Sequence, residues 1–196
     1  MLLRAILDHV PPAFGPDGLA YVILDGTLIG IDRCAEQIIS VKGEPIDAWY
    51  AGKVHQHAGN LQALSAPSGL PLWIAEVEPG SVHDLTAART HVLGALYAAA
   101  ARGLPTHADS GYDGAGIGIH TPIRQPEGNQ ILSPDNRTYN RLLRALRCLG
   151  ERGFALLKGR WRTLQHITVS PSRIGDIARA ALVLIHFEHN YLPAIR

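Results

Sequence analysis

The alternation of apolar and polar positions divides the chain into short strand-like runs followed by longer helical ones. Tyr21-Val22-Ile23-Leu24 is a continuous apolar run rich in strand formers, and it delivers Asp25 at its carboxyl end. After a turn at Gly26, residues 28–31 read as a neighbouring strand. Residues 42–59 read as loop with an exposed strand near 53–57, where His55 and His57 share a face. Residues 61–66 and 70–77 read as two strands around the turn signal Ala66-Pro67-Ser68-Gly69. In the second, Leu72 and Ile74 face one way and Trp73, Ala75 and Val77 the other, which predicts a central strand covered on both sides. Pro79-Gly80-Ser81 breaks the sheet, and an Ala- and Leu-rich helix is expected over 84–102. Residues 104–108 form the next strand, again closed by an aspartate, Asp109. Residues 111–118 are glycine-rich loop. Ser133-Pro134 is a helix start, with Ser at the cap and Pro in the first turn. That helix is expected to reach Gly150, or Lys158 if its glycines are tolerated. A last helix covers about 174–189, and a short one covers the first ten residues before Pro11-Pro12. The pattern predicts an α/β fold with a mixed sheet and helices on both faces.

Length changes this picture little: 196 residues suit one domain with a sizeable core. Neither the first ten residues nor the apolar stretch 177–185 is long enough for a membrane span, so a cytoplasmic, nucleoid-associated protein without a membrane partner is expected. Cys34 and Cys148 form no close-spaced pair that would suggest a zinc knuckle or disulfide framework. Charge is more informative. Residues 1–123 hold 6 Lys/Arg against 12 Asp/Glu, a balance of −6, while residues 124–196 hold 12 against 5, a balance of +7. A polyanion would dock on the basic half and a cation on the acidic half.

Three acids stand out. Asp25 and Asp109 each end an apolar run, where an ionised carboxylate is costly without a partner. Glu151 lies on the long helix. Like charges brought together repel unless cations neutralise them, and hard divalent ions prefer such oxygen ligands. Each acid alone also fits a plain structural role, as turn, loop cap or solvated helix residue. On the same helix, Arg137, Arg141, Arg144, Arg147 and Lys158 fall near one face with Glu151, as phosphate-binding guanidinium groups would or as a solvated amphipathic face would.

The runs Ile23-Leu24-Asp25-Gly26-Thr27, Tyr50-Ala51-Gly52-Lys53, Pro79-Gly80-Ser81-Val82-His83-Asp84, Asp109-Ser110-Gly111-Tyr112-Asp113-Gly114 and Glu151-Arg152-Gly153-Phe154-Ala155-Leu156-Leu157-Lys158 closely resemble the DDE superfamily endonucleases. These are catalytic domains of bacterial insertion-sequence transposases. The likeness runs in order from about residue 20 to 190. It implies a ribonuclease-H-like fold, with acids on the first strand, after the fourth strand and on a late helix. It implies Asp25, Asp109 and Glu151 as catalytic metal ligands for two Mg²⁺ or Mn²⁺ ions, DNA as partner, hydrolytic nicking, and strand transfer by the freed 3′-hydroxyl. Related transposases carry Tyr, Arg, Glu and Lys around the last acid. Here Arg147 precedes Glu151 by four residues and Lys158 follows it by seven, while Arg144 replaces the tyrosine. Arg144, Arg147, Lys158 and Arg160 are the expected DNA contacts.

Other motifs are ambiguous. His83-Asp84 suggests an accessory metal ligand or base, or an N-cap at Asp84. Of Trp49, Trp73 and Trp161, Trp161 beside Arg160 and Arg162 is the candidate for base stacking. Family members carry a helix-turn-helix region before the first aspartate. Only 24 residues precede Asp25, so the chain reads as a single catalytic domain over 1–196, with 1–19 a remnant and a homodimer possible. A non-transposing nuclease of the same fold and an inactive DNA-binding remnant are the alternatives.

Overall fold

The apolar run at 22–24 does not stop at Asp25. Strand β1 (Val22–Ile31) continues through it for ten residues, so the expected turn at Gly26 and second strand are one element. The computed structural model describes residues 18–40, 42–128 and 130–190, and the helix expected at the amino terminus lies outside them. Gly26 serves close approach rather than turning: a Cβ there would stand 2.6 Å from Gln62 Nε2 and 2.9 Å from Asp84 Oδ1.

After a small antiparallel pair, β2 (Gln37–Ile39) and β3 (Pro45–Asp47), and the short β4 (Tyr50–Ala51), the chain enters β5 (Gln56–Ser65). β5 runs antiparallel to β1 from Ile23↔Ser65 to Gly30↔Ala58. His55, expected on a strand, sits before β5 in a turn with φ +53°, and only His57 is on the strand, bonded to Asp47 at 2.8 Å.

The turn predicted at 66–69 forms, with Gly69 at φ +81°. It leads to β6 (Pro71–Ile74), and β7 (Glu78–Pro79) also pairs with β5. β6 is shorter than expected and is an edge strand, not a central one. Its two-sided apolarity arises because the carboxyl-terminal helix over Ile174–Glu188 covers it, as shown by the bond from His186 Nε2 to the Pro71 carbonyl at 2.7 Å.

The helix expected over 84–102 is two: α1 (Asp84–His91) and α2 (Leu93–Ala100), with a break at Val92, whose φ is −132°. β8 (Thr106–Ala108) then pairs parallel to β1, and β9 (Ile119–His120) parallel to β8. Helix α3 (Pro134–Phe154) begins as predicted, with the Ser133 hydroxyl accepting from Asn136 N at 3.2 Å. It passes both glycines and continues as a π-helical turn over Ala155–Gly159. β10 (His166–Ile167) returns parallel to the far end of β1, and α4 (Ile174–Glu188) follows.

The sheet is therefore mixed, in the order β6-β5-β1-β8-β9. Its two faces carry separate cores. Val22, Leu24, Leu64 and Leu72 pack with Val92, Leu93 and Leu96 of the α1–α2 segment on one side. Ile29, Leu61, Ala63 and Ile74 pack with Phe154, Leu157, Ile174 and Ile185 on the other. This is the ribonuclease-H-like α/β arrangement the sequence led us to expect. Strand alternation assigns Asp25 to the α3 face and Gly26 to the α1–α2 face.

Candidate active site

One edge of β1 is paired in two separate pieces. β8 covers residues 22–24 and β10 covers 30–31. The last β8 pairing is Leu24↔Ala108, so the next positions are Asp25 and Asp109. Neighbouring strands lie about 4.8 Å apart, which sets these two aspartates side by side where the β8 ladder ends. Asp25 thus lies within β1 rather than at its end, and the carboxyl end that matters is that of β8.

Each carboxylate is oriented by the backbone. Asp25 Oδ1 accepts from Gly26 N at 2.9 Å, and Asp109 Oδ1 accepts from Gly111 N at 2.7 Å, the latter as cap of a 3₁₀ turn over Ser110–Tyr112. Both line a small cleft roofed by Leu143 and Leu146 of α3.

The third acid arrives with α3. A Cβ on Gly150 would stand 3.1 Å from Ile23 Cγ2 and 3.4 Å from both Cβ and Oδ2 of Asp25. On Gly153 it would stand 2.5 Å from Ser65 Oγ. These glycines, awkward in a helix, let its backbone settle onto the sheet. Glu151 follows Gly150 by one position, so its side chain is turned about 100° from the sheet-facing stripe and is exposed. Among the described residues no three His, Cys, Asp or Glu side chains draw close enough to hold a metal ion together. Of the three expected acids, Asp25 and Asp109 are brought together, while Glu151 does not join them in a single ligand set and stands exposed on the helix that crosses them. A hard-oxygen pair suits Mg²⁺ in kind, because that ion commonly takes one or two carboxylates and completes its shell with water and substrate phosphate.

A polar layer beneath this pair escaped the sequence reading. Asp84 is the first residue of α1, and its side chain caps no backbone N–H there, contrary to expectation. Its Oδ1 accepts instead from Asn60 Nδ2 at 2.9 Å and Gln62 Nε2 at 3.3 Å. The buried Gln62 also donates to Asn60 Oδ1 at 2.8 Å and accepts from the Tyr112 hydroxyl. Burial, then the charges of Asp84, Asp25 and Asp109, hold the Tyr112 phenol protonated well above its ordinary range. The Asp84 carboxylate and the Tyr112 hydroxyl both crowd the bare Cα of Gly26, where a Cβ would stand 2.9 and 3.0 Å from them. The signal in the sequence was Asn60 and Gln62, two polar residues at strand spacing in an otherwise apolar run. His83 stays exposed.

The basic residues separate. Arg144 lines a second, larger cleft that shares Asp109 and Leu143 with the first. Arg147 lies on α3, four residues before Glu151. Lys158, expected on DNA, donates instead to the Leu28 carbonyl at 2.9 Å, within the stretch of β1 between the two ladders, and burial lowers its pKa. Arg160 is paired with Glu188 at 2.8 Å and lies over the Trp161 ring. Trp161 itself is half-buried against the second core with its indole N–H buried. Trp49 is buried and donates to Glu36 at 2.8 Å. Among the described residues no helix is long and apolar enough to cross a membrane.

Comparison with curated proteins and with solved structures finds no match. The family model of the DDE superfamily endonucleases, by contrast, matches residues 24–186, from one residue before Asp25 through β8 and α3 into α4. With that span and the paired aspartates at the end of the β8 ladder, the chain belongs to the DDE superfamily endonucleases.

Proposed function

We propose that this chain is the metal-dependent catalytic domain of a transposase, cutting DNA phosphodiester bonds at transposon ends and joining the freed 3′-hydroxyl to a target. The observation that carries the reading is the adjacency of Asp25 and Asp109 beneath the helix that bears Glu151, in a chain of the endonuclease family. Asp25 and Asp109 would hold Mg²⁺ or Mn²⁺, with Glu151 completing a second ion's donors. Bound there, such ions supply Lewis acidity to the scissile phosphate and lower the pKa of an attacking water or 3′-hydroxyl.

The chain's own residues do the rest. The Gly26 and Gly111 amides fix the two carboxylates, so little reorganisation is needed when charge develops. Tyr112, kept protonated, holds Gln62 so that its amide faces Asp84. Arg144, lining the cleft that opens beside Asp109, and Arg147, on the same helix, would take non-bridging phosphate oxygens and orient the strand. Such contacts position DNA without reading its bases.

The test is a nicking and strand-transfer assay on element-end DNA with Mg²⁺ or Mn²⁺. Wild type should nick and join; Asp109→Asn should lose at least a hundredfold in rate. Equal activity in the variant would overturn the assignment.

A further inference from the structure

Beyond the aspartate pair, the surface opens into a cleft between α3 on one side and Pro122, Ile123, Gln125 and Leu132 on the other. Its inner part, of about 290 Å³, is lined by Asp109, Ser110, Ile123, Leu143 and Arg144 among others. Its outer part, of about 300 Å³, shares Gln125, Leu132, Asn140 and Arg144 and adds Arg137 and Arg141. The wall facing the helix is held in place before anything binds. The Asn140 side chain accepts from Ile123 N and donates to Ile123 O, both at 2.8 Å, and Gln125 Nε2 donates to the Gln130 carbonyl at 3.0 Å.

The charge lining is unbalanced. Arg137, Arg141 and Arg144 sit four and then three residues apart, hence on one helix face. All three are exposed, and no carboxylate pairs with any of them among the described residues. Neighbouring Arg124, by contrast, is paired with Asp113. Like charges at this spacing cost a helix a few tenths of a kcal/mol each and find their use against a polyanion. Opposite them are apolar surfaces, Ile123 and Leu132. Cavities of this volume are at the lower end of those that hold small ligands, which suits one nucleotide unit, and apolar walls of this kind meet base faces that only an unpaired strand leaves free.

We propose that this cleft seats a single, unpaired DNA strand leading to Asp109, its phosphates on Arg137, Arg141 and Arg144 and a base or sugar against Ile123 and Leu132. The identity of the occupant rests on the endonuclease reading above. It follows that the duplex is opened next to the cut before chemistry, and that Arg144 and its two basic neighbours grip the strand rather than the intact helix.

The test uses the full chain in EDTA, so that binding is separated from cleavage. A fluorescein-labelled single-stranded decamer and a hairpin duplex of the same sequence are titrated by anisotropy over a range of salt. Wild type should hold the single strand more tightly than the duplex. The triple variant R137A/R141A/R144A should lose at least tenfold in strand affinity, and its log K against log salt slope should fall by about 2, three contacts at about 0.7 each. Leu132→Trp, which fills the outer part without changing charge, should weaken the strand and leave the slope unaltered. Tighter duplex binding by wild type, or unchanged affinity and slope in the triple variant, would overturn the proposal. Nicking with Mn²⁺ is run in parallel. If wild type nicks while the cleft variants bind normally, the cleft assignment falls alone; if the variants lose the strand while wild type never nicks, the endonuclease reading falls alone.

Discussion

Gly153 offers the sharpest test of how α3 is brought to the sheet. An added Cβ would lie 2.5 Å from Ser65 Oγ and 3.4 Å from the Gly69 carbonyl oxygen. Ordinary non-bonded contact begins near 3.5 Å, so the first distance is about 1 Å short. Ser65 is buried in β5, so its hydroxyl can rotate away only into packed surroundings. Two opposing effects then set the stability of Gly153→Ala. Replacing Gly by Ala inside a helix stabilises by about 1 kcal/mol. Overpacking a tight contact costs about 1–3 kcal/mol. The single variant should be neutral to about 2 kcal/mol less stable, despite its better helix former. In a Ser65→Ala background the offending oxygen is gone, and the nearest remaining Ser65 atom, Cβ, would be 3.6 Å away. There the same change should stabilise by about 1 kcal/mol. Urea unfolding of the four proteins followed by circular dichroism gives the coupling directly, expected at about 1–3 kcal/mol. Activity supplies a second reading, since lifting α3 carries Glu151 away from Asp25 and should slow nicking in Gly153→Ala more than in the double variant. Coupling below about 0.5 kcal/mol, within the range of independent sites, would refute the claim that the glycines exist to seat the helix.

Other perturbations probe the layer below the aspartates. Tyr112→Phe strips the buried Gln62 of its donor and should destabilise by about 1–3 kcal/mol; an unchanged urea midpoint would mean the hydroxyl is not structurally required. Asp84→Asn keeps an oxygen for Asn60 and Gln62 but removes charge from below Gly26, so Mn²⁺ affinity measured by calorimetry should drop about fivefold, equivalent to about 1 kcal/mol of long-range attraction. Affinity equal to wild type would separate Asp84 from the metal's electrostatics. Burial lowers the pKa of His186 in the folded chain below its ordinary 6.5. The unfolded chain then binds the extra proton first. The stabilisation is full above pH 6.5 and is lost as pH falls through the folded value, with a slope of up to about 1.4 kcal/mol per pH unit. His186→Gln, which retains a donor for the Pro71 carbonyl, should flatten that part of the profile, and an unaltered slope would assign acid sensitivity elsewhere.

Much of this protein was legible from residue order. The apolar run closed by Asp109, the Ser133-Pro134 helix start, and the turn at 66–69 all mark local events, governed by neighbours a few positions away. The linked motifs around the three acids sufficed to point to the endonuclease family. What local pattern could not disclose concerns residues whose environment comes from distant chain. Gly26 looked like a turn because glycine usually marks one, yet it is a gap in β1 through which Asp84 and Tyr112 reach the sheet's underside. The two-sided apolarity of β6 looked central because burial by a helix from residue 174 onward leaves the same imprint as burial between strands. Lys158 looked like a phosphate ligand because its charge is visible in sequence, whereas the Leu28 carbonyl that receives it is not. Residue order alone determined the chemistry available, the acids, the arginines and the helix and strand periods that carry them. Tertiary structure alone decided which of those groups meet. Side-chain type is written into each position, but proximity between positions such as 25, 84 and 109 exists only once the sheet has closed the loops between them.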